Sequence, residues 1–169
     1  MDELSTLRLR LRRARPDDLA AMHAVLSHPQ AMRYWSTPPH EDLEQTRVWL
    51  GKMIAVDPSR SDDFVIEFEG RVIGKAGFHS LPDLGYILYP DCWGQGIARE
   101  AVSAVIPRVF ERFPIPAIET DVDPRNDASL RLLARLGFVE TRRAKRTWKV
   151  GEEWCDSVYL ALTREAAGA

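Results

Sequence analysis

From Thr6 to Ala14 apolar and charged residues alternate, with Leu7, Leu9 and Leu11 on one side and Arg8, Arg10 and Arg12 on the other. A period of two predicts a half-buried strand with a cationic outer face. The period then changes. Pro16, Asp17 and Asp18 suit a first helical turn, where proline loses no bond and acids meet the positive end of the dipole. Leu19, Met22, Val25 and Leu26 continue at helical spacing. A loop rich in proline and aromatics follows, and a second helix is predicted from Glu41 to about Val56 through Leu43, Val48, Leu50 and Met53. "DPSRSDD" reads as a polar break. Next comes a meander: two strands about a tight turn at Glu69-Gly70, then "DLGYILYP", ended by Pro90. Past Gly96, Ile97, Ala101, Val105 and Val109 mark a helix reaching about Phe113. Pro107 lies inside it, at a cost of ~3 kcal/mol, and is expected to bend or break it. "AIETDV" is a strand, Asn126 to Leu136 a helix closed by Gly137, and two strands follow around "FVETRRAKRTWKV" and "EWCDSVYLAL". The terminal "AAGA" is expected to fray. With no repeat or linker, the pattern reads as one α/β domain over residues 1–169, its core about 7–164.

Composition narrows the function classes. A chain of 169 residues, 45% hydrophobic and 28% charged, suits one ordinary globular domain. Lys and Arg number 23 against 25 Asp and Glu, so no global basic excess favours nucleic acid. The acidic opening "MDEL" does not read as a secretory signal, and no apolar run is long enough for a bilayer. Cys92 and Cys155 fit neither a disulfide framework nor a metal cluster, which points to reduced thiols in a cytoplasmic protein. His23, His28, His40 and His79 lack paired ligand spacing, so no metal is expected.

The chemistry concentrates at Gly94-Gln95-Gly96, where a strand hands over to a helix. Unpaired amides of a first helical turn converge there, and glycine lets an anion approach the backbone. A tight turn with nothing bound is the plainer alternative. Gly94, Gly96 and Ala98 make a dinucleotide fingerprint one residue too short, after a meander instead of a first βαβ strand. A Walker sequence is absent.

"YILYPDCWGQGIAREAV" resembles the acetyl-CoA motif of the GNAT N-acetyltransferases. Trp93 stands where that pattern has Arg or Gln, as in the branch holding the ribosomal-protein alanine/serine N-terminal acetyltransferases. "DPRNDASLRLLARLGFVET" resembles the family's second motif through Asn126, Ser129, Leu136, Gly137 and Phe138. The ending "GEEWCDSVYLAL" is similar to that branch, and the order of elements matches nearly the whole chain. The resemblance implies the GNAT fold, α/β in the α+β sense, with a mixed, mostly antiparallel sheet of about seven strands and about four helices. It also implies acetyl-CoA as cosubstrate and direct transfer to a primary amine within a ternary complex.

By the same resemblance, the loop from Gly94 through main-chain amides of Gln95, Gly96, Ile97, Ala98 and Arg99 holds the pyrophosphate. Tyr86, Ile87 and Leu88 offer backbone to the pantetheine, and Asn126 positions that arm. Asp83 is the favoured base, where the branch usually carries Glu; its alternative is a mere turn start after Pro82. His79 is the substitute base or an acceptor-side residue. Ser129 orients or protonates the leaving thiolate, with Tyr159 as another donor. Tyr34 and Trp35 wall the acceptor side or pack in the core. An acyl-cysteine at Cys92 is disfavoured because no histidine is near it in sequence. Residues 141–149 carry five cations, a solvated face or an electrostatic lure. The acceptor stays open among a protein N-terminus, a polyamine and an aminoglycoside-like amine. A non-catalytic CoA-binding sensor is the competing reading, and a homodimer is permitted.

Overall fold

The computed structural model describes residues 3–169. Its first alternating stretch splits in two: Glu3–Ser5 (β1) pairs antiparallel with Leu9–Arg12 (β2). Leu9 and Leu11 are buried as alternation requires, but Leu7 lies in the connecting turn and is 95% exposed. The turn is closed locally, since Thr6 N–H donates to the Leu9 carbonyl and Leu9 N–H to Thr6 Oγ1, both at 2.9 Å. Arg12 is not an outward cation either. It is buried, forking onto Asp18 at 2.9 and 2.8 Å and reaching Glu67 at 2.9 Å. A cation so paired can be buried where an unpaired one cannot.

A short 3₁₀ turn at Pro16–Asp18 leads into Leu19–Leu26 (α1). Leu43–Ala55 (α2) starts at Asp42, whose carboxylate accepts from Gln45 N–H at 2.8 Å. The meander is Asp62–Phe68 (β3), Arg71–Ser80 (β4) and Asp83–Leu88 (β5). The supposed polar break therefore ends early, because Asp62 and Asp63 are buried inside β3. Ile97–Arg112 (α3) runs unbroken through Pro107. Pro107 is on the solvent face, where a helix lengthens its bonds most readily. Then come Ala117–Val122 (β6), Asp127–Arg135 (α4), Val139–Val150 (β7) and Glu153–Thr163 (β8). The terminal residues do not fray: Ala167 N–H donates to the Thr163 carbonyl at 3.0 Å and Ala167 packs on the core.

Among the described residues the sheet has eight strands in the order β1-β2-β3-β4-β5-β6-β8-β7, one more than expected because of β1. Every neighbouring pair is antiparallel except β5–β6. One face carries α3 and α4, which pack Val105, Phe110 and Leu133 onto Phe64, Phe78 and Ile118; the other carries α1 and α2 over Val65 and Ile87. Strand alternation decides which face β3 serves at each residue. Asp62 shares the α3 side with Phe64 and takes Arg13, Arg108 and Arg112 at 2.6, 2.8 and 2.6 Å. Asp63 turns to the other side, where it meets Lys75.

Candidate active site

The parallel strands β5 and β6 pair only at Asp83 and Glu119. Glu119 N–H donates to the Pro82 carbonyl at 3.1 Å and Thr120 Oγ1 to the Leu84 carbonyl at 3.0 Å. Beyond that point the strands part, leaving backbone of Tyr86 to Leu88 along a gap. Tyr86 has the same parity as Leu84, so alternation turns its N–H and C=O toward β6. The Leu88 carbonyl is already engaged, accepting from Trp93 Nε1 at 3.1 Å. Ile87 and Leu88 contribute buried side chains to opposite faces of the sheet.

At the end of β5 the chain makes a 3₁₀ turn over Pro90–Cys92 and enters the glycine loop. Gly94 and Gly96 both have left-handed backbones, φ 72° and 74°, which disfavour any side chain. A Cβ added at Gly94 would meet nothing within 4 Å, and one at Gly96 only Arg8 Nη2 at 3.7 Å, so the space over the loop is open. Gly96 caps α3, a 16-residue helix; Gln95 and Arg99 are exposed, Ile97 is anchored in the core and Ala98 packs beside it. First-turn amides with an aligned dipole behind them suit a diphosphate. Cys92 is buried, and that burial pushes its thiol up, which makes it a poor nucleophile at neutral pH.

Asn126 caps α4, its side-chain oxygen accepting from Ser129 N–H at 3.2 Å. This cap fixes the first turn so that Ser129 Oγ meets the Tyr86 hydroxyl across the β5–β6 gap in a short hydrogen bond. Burial pushes the Tyr86 phenol up to about 12, against the lowering effect of Ser129, so the phenol keeps its proton. Nothing in the sequence signalled this contact, since 43 positions separate the two residues.

The other end of β5 opens into a cleft of about 970 Å³ bordered by Asp83, His79, Trp35, Trp49, Trp148 and Tyr159. Partial desolvation, then repulsion from Glu119 and Asp121, pushes the Asp83 carboxyl above its ordinary range. Asp121 is held by Trp148 Nε1 at 2.6 Å and Ser157 Oγ at 2.9 Å. The cleft also touches the buried Lys75–Asp63 pair, joined at 2.8 Å. Asp63 Oδ1 has no hydrogen-bond partner among the described residues. Tyr34 stands apart from the cleft, lining a smaller hollow of about 170 Å³ that shares Trp35 with it. Two arginines, Arg33 and Arg125, lie over the Tyr34 ring at 5.4 and 5.8 Å. The cationic run mostly spends itself locally: Arg143 on Glu140, Lys149 on Glu152, Arg142 over Tyr159 and Arg146 over Trp154. The acids of β6 were within reach of the sequence, because "AIETDV" alternates and puts Glu119 and Asp121 on one face. Asp63 was not, having been grouped with a polar break.

Residues 8–139 match the acetyltransferase (GNAT) domain. The uncharacterized N-acetyltransferase YoaA of Bacillus subtilis (strain 168) is 31% identical over 144 residues, covering 80% of this chain and 81% of its own. The [ribosomal protein uS5]-alanine N-acetyltransferase of Escherichia coli (strain K12) is 33% identical over 102 residues, 56% of this chain and 53% of its own. RimL, the ribosomal L7/L12 alpha-N-protein acetyltransferase solved in complex with coenzyme A, superposes with a TM-score of 0.83. That superposition covers 95% of this chain and 97% of RimL at 21% identity, a likeness of fold. The chain belongs to the GNAT family and is an acetyl-CoA-dependent acetyltransferase.

Proposed function

We propose that this protein moves the acetyl group of acetyl-CoA to a primary amine by direct attack, in a ternary complex assembled along β5. The observation that carries the reading is the parting of β5 from β6 after a single pair. That gap lies between the open glycine loop at one end of the strand and the acid-lined cleft at the other. In this reading the diphosphate rests on the amides of Gln95 to Arg99, and the pantetheine runs beside Tyr86 toward Asn126 and Ser129. The amine waits in the cleft by Trp35.

In the transfer, the amine nitrogen bonds to the thioester carbon as the carbon–sulfur bond breaks. The amine's proton passes to Asp83, directly or through one water. The raised Asp83 carboxyl makes it a stronger base than an ordinary aspartate. His79 borders the same cleft and is the substitute base. Sulfur departs as a thiolate whose Cys-like pKa of ~8.5 requires little assistance. A hydrogen bond from Ser129 Oγ–H meets it. The Tyr86 phenol, protonated at neutral pH, donates to Ser129 and leaves the serine's one proton for sulfur. The inert, buried Cys92 favours direct attack over an acyl-enzyme.

The E. coli relative and RimL are named for ribosomal-protein acetylation, which supports a protein N-terminus as acceptor ahead of a small amine, in the cytoplasm. Thiol release over a panel of N-terminal peptides, polyamines and aminoglycosides tests this. One amine class is expected to turn over, with Asp83→Ala nearly silent. Tight acetyl-CoA binding without turnover of any amine would favour a sensor instead, and no binding at all would overturn the reading.

A further inference from the structure

We infer that Arg8 is a positioning residue of the diphosphate site, holding the glycine loop from behind so that its amides face the ligand. The inference rests on the acetyl-CoA reading above. By alternation Arg8 belongs to an outward cationic face, yet it lies in the β1–β2 turn and reaches 87 positions along the chain. Its Nη1–H donates to the Gln95 carbonyl at 3.0 Å. Its Nε–H donates to Glu100 Oε2 at 2.7 Å, and its backbone N–H to Glu100 Oε1 at 2.9 Å. Thr6 Oγ1–H joins the same oxygen at 2.5 Å. Glu100 sits in the first turn of α3, so the whole β1–β2 turn is docked on the start of that helix.

A trans peptide is planar, and its C=O and N–H point in opposite directions. With Arg8 on the Gln95 carbonyl, the Gly96 N–H must point away from Arg8, to the other side of the loop. Two glycines in left-handed conformations otherwise leave this segment with more freedom than any other residues would. Fixing the peptide plane in advance removes an ordering cost from binding. Burial pushes the Glu100 carboxyl up but is outweighed by the bonds from Thr6 and Arg8, so it stays ionised and neutralises the guanidinium. The contribution of Arg8 is therefore orientation more than charge. Lysine, a single point donor, cannot reproduce the fork between Glu100 and Gln95.

The test compares two acetyl donors, acetyl-CoA and S-acetylpantetheine, which lacks the diphosphate, together with calorimetric titration of CoA. For Arg8→Ala the KM for acetyl-CoA and the Kd for CoA should rise about tenfold, the scale of one charge-assisted hydrogen bond. The loss with acetyl-CoA should exceed the loss with S-acetylpantetheine several-fold, while kcat at saturation changes little. Arg8→Lys should show the same donor dependence at a smaller size, and it decides the matter if the alanine variant does not fold. Equal losses with both donors would make Arg8 a structural residue only and overturn the inference. Unchanged CoA binding in both variants, with the wild type binding normally, would overturn it and leave the acetyltransferase reading standing. Absence of CoA binding by the wild type would take both down.

Discussion

The glycine loop past the C-terminal end of β5 and the cleft at its N-terminal end are built from different materials. The loop is six consecutive residues, Gly94 to Arg99, and what it offers is main chain: open space, left-handed turns and first-turn amides. The cleft draws side chains from the α1–α2 connection, from α2 and from β3 to β8, with Asp83, Glu119 and Asp121 on one wall. A main-chain site is insensitive to most side chains and intolerant of losing its glycines. A side-chain site is the reverse, so each substitution removes one function. The Tyr86–Ser129 pair stands between the two and shares both characters, since a cap on backbone aims a hydroxyl.

The largest effect should come from breaking the loop. Gly96→Val forces a β-branched residue into left-handed backbone, at about 1–2 kcal/mol, and crowds Arg8 Nη2, which lies 3.7 Å from the Cβ position, so the loop loses the conformation that gathers its amides. Thermal shift should then show no stabilisation by CoA, where the wild type at a hundred times Kd gains about 2.7 kcal/mol. Asp83→Asn comes second: kcat/KM should fall about 10²-fold, with CoA affinity unchanged. The wild-type rate should decline as pH drops through a value above the ordinary carboxylate ~3.9, because the raised carboxyl gains a proton and can no longer accept one. The asparagine variant should lose that acid limb; a limb that persists would shift the role to His79. Ser129→Ala should lower kcat about tenfold, and Tyr86→Phe less. The double variant should be no worse than Ser129→Ala alone, since Tyr86 acts through Ser129. Additive losses in that cycle would separate the two residues. The smallest effect sharpens the contrast: Gln95→Ala should change KM for acetyl-CoA by less than about twofold, because its side chain only reaches the Asp91 carbonyl at 3.0 Å.

Features that depend on neighbours in sequence were readable before the fold was known. The periods of α1 to α3, the close of α4 at Gly137, the meander turn at Glu69-Gly70 and the Gly94–Gly96 loop all follow from residues within a few positions of one another. Misreadings arose where a distant partner changed what a residue does. Alternation placed Arg12 in solvent, and Glu67, 55 positions away, helped bring it inside. The adjacent acids of "SDD" looked like one polar break, whereas β3 sends Asp62 to three arginines under α3 and Asp63 to Lys75 by the cleft.

The amino-acid sequence alone determined most of the elements, their order, the glycine loop between β5 and α3 and the family to which these belong. Such properties rest on backbone preference and short-range periodicity, which need no knowledge of what lies across the sheet. Only the tertiary structure decided that β5 and β6 separate, that Tyr86 meets Ser129, that Arg8 grips the loop and that three carboxylates share a wall. Those are contacts between segments 36 to 92 positions apart, and their existence depends on strand register and helix docking, which chain-local patterns do not encode.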